Sequence, residues 1–153
     1  MRGLSFLLAV LAVVAGAASR IHSQGPDHPF AGSWTANMQK SKLSPSFDAA
    51  SITLRIDLAG DSMTMASRLV SSTGPEQRAA ETFRTDGTVT PGTLSPNVTL
   101  VAKWLDRLVL ASLAKKDGQI VAIVTYEISA GGTTLISRSS GTIEQTIVYE
   151  RSR

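Results

Sequence analysis

No cysteine occurs in the 153 residues. That absence removes disulfides, a lipid-attachment thiol, thiolate nucleophiles and cysteine-ligated zinc together. Histidine is nearly as scarce, with only His22 and His28, both close to the N-terminus. With no histidine in the body of the chain, a hydrolase triad lacks its base. Aromatic residues are 5% of the whole, two of them Trp and two Tyr, so each carries unusual weight in any core. No Gly-rich phosphate loop appears; Gly131-Gly132 reads as a hairpin turn. Basic residues such as Arg55, Arg68, Arg84, Lys103, Arg107 and Arg138 are scattered and do not interleave with aromatics, which argues against a nucleic-acid surface. The net charge of +3 then concerns solubility.

Acidic residues fall mainly at turn positions, Asp61, Asp86, Asp106 and Asp117, where Asp hydrogen-bonds its own backbone. Glu81 and Glu127 lie within strand-like segments, at positions read as edge or solvent. The chain therefore reads as non-enzymatic, without catalytic residues, metal or cofactor. Lyase or isomerase chemistry inside a barrel is the remoter alternative.

The N-terminus is a different region. Met1-Arg2-Gly3 is followed by an apolar run over 4–18 that ends in Ala15-Gly16-Ala17-Ala18-Ser19. The run is too short to span a bilayer, and its small-residue end is what a signal peptidase cuts. Residues 1–19 are expected to be a cleaved signal peptide, with no stable membrane insertion afterwards. Export without disulfides suits a bacterial periplasm or exterior. Cleavage after Ser19 would expose Arg20-Ile21-His22 as a square-planar nitrogen set for Cu(II) or Ni(II); cleavage slightly earlier destroys it, and no metal site is expected. Residues 20–29, with two Pro and one Gly, read as a flexible linker. What remains, 30–153, is the size of one domain.

That domain contains no helical periodicity of ordinary length. Residues 51–59 alternate, with Ile52, Leu54, Ile56 and Leu58 on one face and Thr53, Arg55 and Asp57 on the other, the mark of a half-buried strand. Gly60-Asp61 turns the chain into 62–71, whose inward residues are Met63, Met65 and Leu69. Ser72-Thr73-Gly74-Pro75 leads to 77–85, and Asp86-Gly87 signals a further hairpin. A Pro-rich loop spans 91–97. Strands follow over 98–105, 108–115, 119–129, 133–140 and 144–151, separated by Asp106-Arg107, Asp117-Gly118, Gly131-Gly132 and Ser140-Gly141. Short strands joined by short turns predict an all-β, antiparallel up-and-down meander of about 8–10 strands, closed into a barrel to hide its edges.

Two segments single themselves out. Phe30-Ala31-Gly32-Ser33-Trp34 opens the domain and Thr146-Ile147-Val148-Tyr149-Glu150-Arg151 closes it. A small barrel must be plugged, and Trp34 is the largest plug available, with Gly32 allowing close backbone approach. The opening resembles the first strand of lipocalins and fatty-acid-binding proteins, and the ending resembles the last strand of the latter. The resemblance implies a lipocalin-like barrel that carries or senses a small apolar molecule. It implies an arginine over Trp34, with Arg138 or Arg151 in that role. It also implies a carboxylate-binding arginine two residues before the last-strand Tyr; here that position is Ile147, while Tyr149 remains. The family's helical lid looks truncated by Ser44-Pro45 within 38–50. The other functional reading is a protein-interaction module whose barrel is filled by its own side chains.

Alternation nominates Ile56, Met63, Met65, Leu100, Tyr126, Ile147 and Tyr149 to line a ligand pocket. The strands over 98–129 are apolar on both faces. Leu100, Trp104, Leu108, Leu110, Ile120, Val124 and Tyr126 are expected inward. Val101, Leu105, Val109, Leu113, Val121 and Ile123 are expected outward, a patch suited to a homodimer.

Overall fold

The computed structural model describes residues 28–153. The expected signal peptide, the candidate amino-terminal nitrogen set and most of the expected linker lie outside the described residues. The linker's last two residues, His28 and Pro29, are placed against the barrel.

Ten strands follow in order: β1 (Gly32–Ala36), β2 (Ser51–Ala59), β3 (Ser62–Val70), β4 (Gln77–Arg84), β5 (Thr90–Pro91), β6 (Val98–Asp106), β7 (Val109–Lys116), β8 (Gln119–Ile128), β9 (Thr134–Gly141) and β10 (Gln145–Arg151). All ladders are antiparallel, and the sheet order is β4-β3-β2-β1-β10-β9-β8-β7-β6-β5. The first strand thus pairs with both the second and the last, and the meander nearly closes. Among the described residues no helix is long and apolar enough to cross a membrane.

The local causes are simple. In β2, Ile52, Leu54 and Ile56 are buried while Arg55 and Asp57 pair outside at 3.0 Å, the period of two that a pleated strand imposes. The β7–β8 turn places Asp117 at φ 50° and Gly118 at φ 80°. Two consecutive positive φ angles match the twist of the flanking strands, which is why an Asp-Gly pair stands there. Where a helical lid would lie, residues 37–50 form irregular chain with one bridge, Lys42 to Thr146.

Two expectations change. The Asp86-Gly87 hairpin does not form: β4 pairs only with β3, and β5 only with β6. The Asp86 carboxylate instead turns back to Arg84 and the Thr88 amide, while the Gly87 N–H reaches the Ala102 carbonyl. The chain is thereby carried across to β6, and β4 and β5 become the two edges of the sheet, facing each other across a seam. Ile120, expected inward, is 56% exposed. A bulge skips Val121, so that Lys115 opposes Ile120 and Ala114 opposes Ala122. One extra residue reverses which face a side chain meets.

One barrel end is packed solid by Phe30, Trp34, Ile56, Met63, Leu110, Ile128 and Leu135, all fully buried. The Trp34 indole Nε1–H donates to the Phe30 carbonyl at 3.0 Å. The Arg151 guanidinium lies 4.2 Å over its ring. Arg151 Nε donates to Gly132 O and Nη1 to Ala31 O, each at 2.8 Å, and Nη2 donates to Pro29 O. Arg138, the other candidate for this role, lies outside and pairs with Glu127 at 3.0 Å, because its position on β9 faces solvent. Gly32 has φ 125°, and a Cβ there would stand 2.8 Å from Arg151 Nη1. His28 caps the assembly, its ring 4.6 Å from Trp104 and 5.7 Å from Phe30. Burial, and then the charge of Arg107, push its pKa down.

Replacing Trp34 by Ala is expected to cost about 3–5 kcal/mol in chemical denaturation. Gly32→Ala is expected to cost about 1–3 kcal/mol through its backbone angle. A Trp34→Ala protein as stable as the parent would show that the plug does not hold this end.

Candidate binding site

Beyond the plug the barrel is hollow. A cavity of about 370 Å³ lies inside, toward the end framed by Phe47, Gln77 and Leu94. Its apolar wall includes Ile52, Leu54, Met65, Leu69, Phe83, Leu100, Val124 and Ile147. Its polar groups include Ser67, Ser112, Ser137, Ser139, Gln145, Tyr126 and Tyr149. A space of this size equals about 12 water volumes of roughly 30 Å³ each, within the range of small-molecule sites.

Of the seven nominated residues, Met65, Leu100, Tyr126, Ile147 and Tyr149 line this cavity. Ile56 and Met63 do not. Both point inward and are fully buried, packed with Phe30, Trp34 and Leu110 at the plugged end. Alternation tells which face a residue occupies, not how far along the axis the filling ends.

The last strand runs the length of this arrangement. Gln145, Ile147 and Tyr149 line the cavity in turn and Arg151 reaches the plug, a span of about 20 Å of strand. Tyr126 and Tyr149 both line the cavity, on strands separated by β9. Burial pushes the Tyr126 phenol up to about 12. It pushes Tyr149 higher still, with Tyr126 adding to the effect. Among the described residues neither hydroxyl has a hydrogen-bond partner. Ser139 donates to the Ile143 carbonyl at 3.2 Å. The Gln145 Oε1 is buried with no partner, a condition that costs about 1–3 kcal/mol for a buried polar atom.

Among the described residues the cavity wall holds one arginine and no lysine. That arginine, Arg78, turns outward to Glu76, its side chain 74% exposed. Glu81, read from the sequence as an edge or solvent residue, accepts from the Thr93 amide and hydroxyl, both at 2.9 Å. It thereby holds the loop carrying Leu94 across the seam. The 37–50 segment is held over the same end by Asp48, which accepts from the hydroxyls of Ser71, Ser72 and Thr73. These donors bring its pKa down to about 2. Strand alternation carried one step further from Tyr126 and Ile147 places Ser137 and Gln145 inward as well; Phe47 and Leu94 sit in irregular chain and had no such signal. A wider, shallower hollow of about 710 Å³ touches outward residues of β1–β4 such as Thr53, Arg55 and Arg68. Its arginines are committed to Asp57 and Glu76.

No family model matches the chain, and no curated protein does. Solved structures do. A point mutant of the fluorescent protein UnaG is 20% identical, with a TM-score of 0.60, covering 82% of this chain and 97% of its own. A Schistosoma mansoni fatty acid binding protein in complex with arachidonic acid is 16% identical, TM-score 0.60, covering 84% and 100%. The REP1-NXSQ fatty acid transporter is 18% identical, TM-score 0.56, covering 80% and 96%. The fold is that of the fatty-acid-binding and lipocalin-like barrels.

The two tyrosines are the only ones in the chain, so their ionisation can be followed without interference. An unfolded Tyr ionises near 10.0 and the folded pair later. The contribution to stability is therefore intact below pH 10 and lost as the pH rises toward 12 and beyond. Ultraviolet titration of the native protein should show no phenolate at pH 10, and urea melts should show stability falling above it. Two phenols titrating together near 10 would mean that the cavity is open to water.

Proposed function

We infer that this protein is a non-enzymatic carrier or sensor of a small, neutral, apolar molecule. The observation that carries this reading is a cavity of about 370 Å³ into which no cation of the described residues turns. An ionised ligand head would lose its hydration there without gaining an opposite charge, a costly transfer. Ile147 stands where the resemblance expects the carboxylate-binding arginine. Its neighbours in fold include proteins that bind or transport fatty acids, which supports an apolar ligand. The enclosed space favours this reading over an interaction module whose barrel is filled by its own side chains. The apolar run over 4–18 and its small-residue end support export to a periplasm or the bacterial exterior.

A fluorescent fatty acid and its methyl ester separate neutral from anionic ligands. The ester should bind at least about tenfold more tightly, a difference of roughly 1.4 kcal/mol. Tighter binding of the free acid would overturn the preference.

The outer surface supports a second assignment, a homodimer through β6–β8. Val101, Leu113 and Ile123 stand in one cross-strand row, and Leu105, Ile120 and Ile123 are 66%, 56% and 46% exposed. Patches of this kind mark contact surfaces, and two-fold pairing is the commonest use. Sedimentation equilibrium should detect a dimer in the parent and a weaker one in Val109→Lys and Val121→Lys. A monomer at every concentration in all three would rule it out.

A further inference from the structure

The two sides of the cavity differ in chemistry. Apart from Ser67 and the rim residue Gln77, the uncommitted wall of β2–β4 and the 37–50 segment is hydrocarbon, with Leu54, Leu69, Phe83 and Phe47 as its main surfaces. The heteroatoms gather on β7–β10. Cross-strand register puts Ser112, Val124, Ser139 and Gln145 in one row. It puts Tyr126, Ser137 and Ile147 in the next. Among the described residues the hydroxyls of Ser112, Ser137 and Tyr126 have no partner, and the Gln145 Oε1 is buried without a donor.

Hydroxyls can donate or accept, so they accommodate either kind of ligand atom. The Gln145 oxygen can only accept. A buried acceptor is costly to leave unmet, so this wall is complete only when a donor is brought to it.

Resting on the neutral-ligand reading, we propose that the ligand is an alcohol, a hydrocarbon body lying against β2–β4 with its hydroxyl between Gln145 and Ser137. The hydroxyl donates to Gln145 Oε1 and accepts from a serine hydroxyl. An ether or ester of the same length offers acceptor atoms only and leaves Gln145 unmet. A carboxylate brings a charge that no side chain of the wall answers.

The test is displacement of N-phenylnaphthylamine from the full chain, expressed with its leader, by decanol, decyl methyl ether and decanoate. Decanol should displace the probe at about a fivefold lower concentration than the ether, the size of one net hydrogen bond. Decanoate should be the weakest of the three. Gln145→Leu should bring decanol and the ether level without weakening the ether. Equal displacement by decanol and ether in the parent overturns the alcohol assignment and leaves the neutral-carrier reading intact. Decanoate as the tightest ligand, or no displacement by any of the three, overturns both. Should Gln145→Leu fail to fold, the three ligands on the parent protein decide alone.

Discussion

One guanidinium group organises the closed end of this barrel. Arg151 covers the Trp34 ring and donates to the carbonyls of Pro29, Ala31 and Gly132. It therefore binds the segment before β1, the turn before β9 and the plug itself to the last strand. A cation over an indole is worth about 0.5–2 kcal/mol, and hydrogen bonds to a charged group are among the stronger ones. The group also dictates its surroundings: Gly32 leaves room for it, and the β1–β10 ladder at the middle of the sheet sets Trp34 directly opposite it.

The cavity follows from where that packing stops. Large side chains fill the barrel around Trp34, Phe30, Ile56 and Met63. Farther along the same strands the inward positions shrink to Ser67, Ser112, Ala114, Ala122, Ser137 and Ser139. Small residues at successive inward positions of facing strands leave space that no single neighbour can fill. The mouth is covered by two irregular segments, each held by a carboxylate: Asp48 for one and Glu81 for the other. With no helix across it among the described residues, the lid rests on a few polar contacts.

Much of this was legible in the residues, and the exceptions have physical reasons. The strands over 51–59 and 145–151, the Asp117-Gly118 turn and the Trp34 plug follow from period-two alternation, positive φ and volume. Arg138 and Arg151 could not be told apart, because which of them reaches Trp34 depends on strand pairing between the two ends of the chain. Ile120 turned outward because of a single-residue bulge, which leaves no trace in the hydrophobic pattern. The Asp86-Gly87 pair looked like a hairpin, yet tertiary contacts to Ala102 carried the chain elsewhere. Gln145 drew no notice, since an isolated amide in a strand gains meaning only once its surroundings are known to be closed.

The two ends of the described segment meet at the plug. His28 stacks on Trp104 there, and the Ser152 amide donates to the Ser33 carbonyl. Anything joined after Arg153, whether a tether or a fused domain, is attached at the closed pole. The opening faces the opposite way, so a tethered copy presents its mouth outward to the surrounding medium. Pulling on His28 and Ser152 would load the β1–β10 ladder and the Arg151 contacts first, leaving the lid segments at the far pole unstressed.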